Sequence, residues 1–146
     1  MSFIEDLENR VGYHINVVSH MLRNKYNEEL AKYDVTMAQA KVLYVLRSNG
    51  EQTQNELQEK LYVKASSVNG IVETMLKKGL IEKRTSDIDR RTKIITLSQK
   101  GTQLETKLRH VIYDLETELG EGFSEEELKV MISWLKRMQG NIYVKN

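Results

Sequence analysis

Cysteine and proline are both missing from the 146 residues of this chain. Without thiols there is no disulfide framework, no thiolate metal site and no cysteine-based redox sensing. Without proline, nothing forces a break within a helix, which favours long uninterrupted helices. No apolar run approaches membrane-spanning length, and the first residues are acidic and amphipathic, unlike a signal peptide. A soluble cytoplasmic protein with no membrane association is therefore expected. Histidine is scarce: His14, His20 and His110 are the only three. His14 and His20 are six positions apart, a poor same-face pair on a helix, and no acidic cluster joins them, so no metal is expected. No glycine-rich phosphate loop, nucleophile motif or strand-borne carboxylate pair occurs, which argues against an enzyme and leaves no cofactor to expect.

What the chain does have is an uneven distribution of charge. The net charge is +1, but residues 36–101 hold 12 basic and 7 acidic side chains, a balance of +5. The flanks, 1–35 and 102–146, hold 10 basic and 14 acidic, a balance of −4. A basic middle between acidic ends suits an anionic partner for the middle. The length suits one domain with helical extensions and a real core.

From Ile4 to Tyr33 apolar residues fall at 4, 7, 11, 15, 18, 22, 26, 30 and 33, always three or four apart. That stripe predicts one helix roughly 40 Å long, more than a core of this size covers. Part of it is expected to pack against something outside the domain, most simply a second copy. Three capping boxes mark helix starts: Thr36–Gln39, Thr53–Glu56 and Ser124–Glu127. The first opens a helix at 37–48, with Ala40, Leu43 and Leu46 inward. The second opens a short helix, 54–61. After a break at Tyr62-Val63 a further helix is expected at 64–78, with Val68, Ile71, Val72, Met75 and Leu76 inward and Gly79 as its stop. Two helices joined by a tight turn make a helix-turn-helix. Long helices are expected at 99–119, with Leu104, Leu108, Val111, Ile112, Leu115 and Leu119 on one face, and at 125–143. The last should bury Leu128, Met131, Ile132, Leu135 and Met138.

Between these lie strand-like Leu80–Thr85, a polar turn at 87–92 and strand-like Lys93–Leu97, a β-hairpin directly after the helix pair. Its turn pushes Arg90 and Arg91 away from the body. A guanidinium on a slim tip suits a DNA minor groove, which is narrow and electronegative. Asp89 is expected to bond back to an arginine or to turn amides and fix the tip. The plainer reading is a solvated charged turn. The helix pair immediately upstream favours DNA.

At this point the sequence resembles the MarR family of bacterial transcriptional regulators. Asp89-Arg90-Arg91 followed by Leu97-Ser98-Gln99-Lys100-Gly101 is similar to the family's wing pattern, with Ser98 in place of the usual threonine. Leu76-Lys77-Lys78-Gly79-Leu80-Ile81 looks like its junction between recognition helix and wing, and Thr36–Leu43 resembles its second helix. The resemblance covers the whole chain. It implies a mainly α fold with a small β-hairpin, a winged helix-turn-helix flanked by N- and C-terminal dimerisation helices. The expected divisions are 1–35 (dimerisation), 36–98 (DNA binding) and 99–146 (dimerisation). Carried across, Arg91 enters the minor groove with Asp89 in support, and Lys64–Asn69 begins the recognition helix. Ser66, Ser67 and Asn69 would reach bases or phosphates there. The plainer account of the serines is helix-start chemistry, and of Asn69 a solvated face. Thr53, Gln54, Arg84, Arg90 and Lys93 complete the candidate DNA contacts. Gly70 departs from relatives that carry a long basic residue there, and instead allows close backbone approach.

The resemblance further implies a homodimer on a pseudo-palindromic operator, with half-sites about 34 Å apart. It also implies a small aromatic or lipophilic anionic effector in a crevice between DNA-binding and dimer regions. Tyr13, His14, Val17, Met21 and Tyr44 are the candidates to line it, with ordinary core packing as the competing account. The expected function is a sequence-specific repressor relieved by that ligand. The rival is a winged helix used for protein–protein contact, and salt-dependent DNA affinity separates the two.

Overall fold

The protein is described by a computed structural model over residues 2–143. The order is α1 (Phe3–Leu7), α2 (Val11–Ala31), α3 (Met37–Asn49), β1 (Gln52–Thr53), α4 (Gln54–Leu61), α5 (Ala65–Lys77), β2 (Ile81–Thr85), β3 (Lys93–Leu97), α6 (Gln99–Leu119) and α7 (Glu125–Ile142). The strands form one antiparallel sheet in the order β1-β3-β2. The chain divides into two units between Ile112 and Tyr113, inside α6. No described helix is long and apolar enough to cross a membrane.

The single helix expected from Ile4 to Tyr33 is two. Ser2 caps α1 with a capping box to Glu5, and the chain leaves helical geometry at Arg10, which is extended. Polar side chains take over the carbonyls that the break strands. Asn9 Nδ2 donates to the Glu5 carbonyl at 3.2 Å, and the His14 ring nitrogen lies 2.7 Å from the Glu8 carbonyl oxygen. Tyr33 falls in the turn beyond α2. All three expected capping boxes form: Thr36, Thr53 and Ser124 each accept from the N3 amide and receive the N3 side chain at their own.

The core of the first unit gathers around α3. Ala40, Val42, Leu43 and Leu46 are buried there with Leu57 of α4, Val68, Val72 and Met75 of α5, Ile95 of β3 and Leu108 of α6. Each lies on the side of its element that the apolar spacing marks. Ile71 and Leu76, expected inside, are only half-buried. The hairpin is in register from Ile81 opposite Leu97 to Thr85 opposite Lys93. The strand β1, absent from the expected fold, adds to its other edge, with Gln52 opposite Ile95.

The run Leu97–Gly101 is a joint. The Ser98 amide donates to the Leu80 carbonyl at 3.1 Å and its hydroxyl to the Gly79 carbonyl at 2.6 Å. That hydroxyl also accepts from the Gly101 amide at 3.0 Å, capping α6. Lys100 Nζ donates to the Lys78 carbonyl at 2.8 Å. Gly101 packs so closely that a Cβ would sit 2.0 Å from the Leu80 carbonyl oxygen. The end of α5, the base of the wing and the start of α6 are thus tied at one place. Gly79, at φ +71°, makes the reversal that lets Leu80 re-enter the core.

Buried within the first unit, Glu105 of α6 is held by two arginines. Arg109 Nη2 donates to Oε1 at 2.6 Å, and Arg47 Nε lies 3.6 Å from Oε2. Within the second unit α7 buries none of its residues in the single chain. Leu128 and Met138 are half-buried, while Met131, Ile132 and Leu135 are exposed, so the expected burial of that face does not occur within one subunit.

Candidate nucleic-acid interface

The wing tip is ordered by local hydrogen bonds. Ser86 Oγ accepts from the amides of Ile88 and Asp89 at 3.2 and 3.3 Å. Asp89 Oδ1 accepts from the Arg91 amide at 3.0 Å and lies 3.5 Å from Arg91 Nε. Its other oxygen accepts from the Thr92 hydroxyl at 3.3 Å. The Ser86 and Thr92 main chains close the loop, Ser86 N to Thr92 O and Thr92 N to Asp89 O, each at 2.9 Å. Asp89 therefore bonds both to turn groups and to the arginine. The Arg91 side chain remains 94% exposed. Arg90 is exposed beside it. Ile88, which the charge pattern did not single out, is 98% exposed at the same tip.

On the strands below, Arg84 is paired with Glu51 at 2.7 Å, so much of its charge is answered within the chain. Lys93 Nζ donates to Thr85 Oγ1 at 2.9 Å and keeps its charge on the surface.

The helix pair supplies the second group of candidates. Thr53 caps α4, and its amide and then its hydroxyl hold the Glu56 carboxyl below its ordinary range. Gln54 is the first residue of α4 and donates through Nε2 to Asn69 Oδ1 on α5. The turn between the helices needs a left-handed residue, and Tyr62 takes it at φ +55°. Tyr62 is 94% exposed. It was readable from sequence only as a break. α5 then begins at Lys64 with no side-chain cap, unlike α1, α3, α4 and α7. Its first amides are left for an outside acceptor beside Lys64, Ser66 and Ser67, all exposed. A Cβ at Gly70 would meet nothing within 4 Å, so this face of α5 is bare next to Asn69.

The five residues expected to line an effector crevice are not brought together within one chain. His14 is turned to the Glu8 carbonyl, and Tyr13 meets its ring edge-on at 5.3 Å. Val17 and Met21 follow along α2, half-buried and exposed respectively. Tyr44 instead shares a hydrogen bond with Tyr26 near the other end of that helix. Burial, then the bond to Tyr26, pushes the Tyr44 phenol well above its usual range. Tyr13 and Tyr26 are separated by roughly 20 Å of helix, too far for one small ligand to span. A cavity of about 300 Å³ lies elsewhere, lined by Tyr33, Asp34, Lys78, Leu80, Lys100, Gln103, Leu104 and Lys107.

Residues 35–93, which run from just before α3 to the first residue of β3, match the MarR family model. Across 126 residues the chain is 29% identical to the uncharacterised HTH-type transcriptional regulator YwoH of Bacillus subtilis (strain 168), covering 86% of this chain and 90% of that protein. A point mutant of MepR from S. aureus superimposes with a TM-score of 0.82 at 25% identity, over 91% of this chain and 98% of that one. The S. aureus MepR–DNA complex gives 0.76 at 26% identity, over 90% and 98%. The matched residues, the relative that spans most of the chain and the shared fold together make this protein similar to the MarR family of regulators.

Proposed function

We propose that the protein is a homodimeric, sequence-specific regulator of transcription that binds double-stranded DNA, represses by occupying promoter DNA and is released by a small molecule. Residues 36–98 would read the DNA, and 1–35 with 99–146 would form the dimer. The observation that carries this is the wing: a guanidinium, Arg91, stands clear of the body on a tip pinned by Asp89. An exposed guanidinium on such a tip suits the electronegative minor groove. The uncapped start of α5, with Lys64, Ser66 and Ser67 around it, supports a phosphate contact at the major groove. A relative of this fold in complex with DNA, MepR, supports the same reading.

Homodimerisation is supported by the apolar surface of both units. Phe3, Ile4, Val11, Ile15 and Val18 are exposed in the first unit, and Val130, Met131, Ile132, Trp134 and Leu135 in the second. Clusters of exposed large apolar side chains mark interaction surfaces, and each unit carries one. The test is affinity for duplex fragments from the region upstream of the protein's own gene, titrated with salt. Binding that falls steeply as salt rises is expected, because each lysine or arginine that meets a phosphate releases counterions. Absence of duplex binding at low salt sinks the proposal in favour of a protein-contact module.

A further inference from the structure

Gln54 and Asn69 are 15 residues apart in sequence and on different helices, the first half-buried and the second exposed, yet their side-chain amides are joined. Neither has a structural task that requires the bond. The α4 start is already capped by Thr53, and the α4–α5 packing is carried by Leu57, Leu61 and Val68. Asn69 is on the bare face of α5, with Gly70 beside it. From these observations we infer that Gln54 and Asn69 act as one reading unit that takes an adenine by its major-groove edge. The inference rests on the DNA-binding function proposed above and adds to it the base that is read and the residue that supplies the second half of the contact.

The reasoning is an account of donors and acceptors. A primary amide carries a two-hydrogen donor and an acceptor oxygen. A single bond between two amides consumes a donor hydrogen of one and engages the oxygen of the other. Left over here are the Asn69 Nδ2 group as donor and the Gln54 Oε1 atom as acceptor, and neither has another partner among the described residues. Turning both amides over reverses the bond and still leaves one donor and one acceptor. In the major groove adenine shows an acceptor, N7, beside a donor, N6. Guanine shows two acceptors, cytosine a donor, and thymine an acceptor beside a methyl group. A donor next to an acceptor therefore complements adenine. An asparagine can hold adenine alone, but here its oxygen is already engaged, so the acceptor comes from Gln54. The absence of a side chain at Gly70 leaves the base edge room to approach.

The experiment begins with selection of duplexes from a random library by the wild-type protein, to define an operator. Affinities are then measured for wild type, Gln54→Ala, Asn69→Ala and the double variant. The duplexes are the operator and versions in which single adenines are replaced by 7-deazaadenine, which lacks N7, or by purine, which lacks the amino group. The expected result is one adenine per half-site at which either modified base weakens wild-type binding about ten-fold. Each single variant should lose a similar factor, the double variant no more than either single, and the modified bases should cost the variants nothing further. Circular dichroism should report unchanged folding, since neither side chain belongs to the hydrophobic core. A selected operator with no such adenine overturns the inference while leaving DNA binding intact. So does a Gln54→Ala protein that keeps wild-type affinity and discrimination, or losses that simply multiply in the double variant. A wild-type protein that enriches no sequence and binds no duplex overturns the DNA-binding proposal and this inference with it.

Discussion

Two glycines give opposite predictions at the residue scale. At Gly101 a methyl group would collide with the Leu80 carbonyl, a backbone atom that cannot swing aside. Gly101→Ala should lower unfolding free energy by about 1–3 kcal/mol, the usual cost of overpacking, as read by urea denaturation. At Gly70 the same change meets open space at an exposed position within α5. Gly70→Ala should raise stability by up to about 1 kcal/mol, since alanine is the better helix former. Equal effects at both positions would contradict the geometry of the joint. In the wing, Arg91→Ala should weaken binding to many duplexes by a similar factor and flatten the salt dependence, because the minor groove distinguishes bases poorly. Asp89→Ala should reproduce part of that loss, since it unpins the tip without removing the cation. Affinity on operator and scrambled duplexes at two salt concentrations checks both. The tip was legible in sequence because its bonds are local: Ser86, Asp89 and Thr92 reach only a few residues along the chain. The Gln54–Asn69 bond was not legible, because it depends on how two helices cross.

At the scale of elements, apolar spacing found every long helix but could not see the break between α1 and α2. The step from Leu7 to Val11 keeps the helical rhythm, and the freed carbonyls at the break are taken up by the Asn9 and His14 side chains, which carry no periodicity. Nor did it find β1, whose two residues exist as a strand only by pairing with β3. It also misread α7 as core, because an apolar stripe looks the same whether it meets its own chain or another. Charge patterning was blind to the interior of α6, where Glu105 is buried between Arg47 and Arg109. Replacing either arginine with leucine leaves the carboxylate one partner and should cost little. Replacing both strands a buried charge and should cost about 3–5 kcal/mol. Adding Glu105→Leu to that double variant should restore most of the loss. Thermal or urea unfolding of the four proteins measures it, and failure of the third change to rescue would show that the cluster matters for packing and not for charge.

For the molecule as a whole, the exposed apolar faces predict that Leu7→Asp and Leu135→Asp dissociate the dimer or unfold it, since each would put a charge into an apolar contact. Sedimentation decides this, and a well-folded wild-type monomer at micromolar concentration would be evidence against the dimer. Trp134, the only tryptophan, is 55% exposed in the single chain and offers a second measure. Its emission should move to longer wavelength and become more easily quenched as the protein is diluted. The joint at Leu97–Gly101 bears on how such a molecule could be switched. Because Ser98, Lys100 and Gly101 fasten α6 to the end of α5 and the foot of the wing, those parts travel with the helix rather than bending against it. Helix α6 is then a handle. At 1.5 Å per residue it is about 30 Å long, so a tilt of roughly ten degrees moves its far end by about 5 Å. A signal need not melt or reshape the parts that touch DNA. If the chain pairs on DNA as proposed, leaning on the handle is enough to move two intact reading heads off the same face of the double helix.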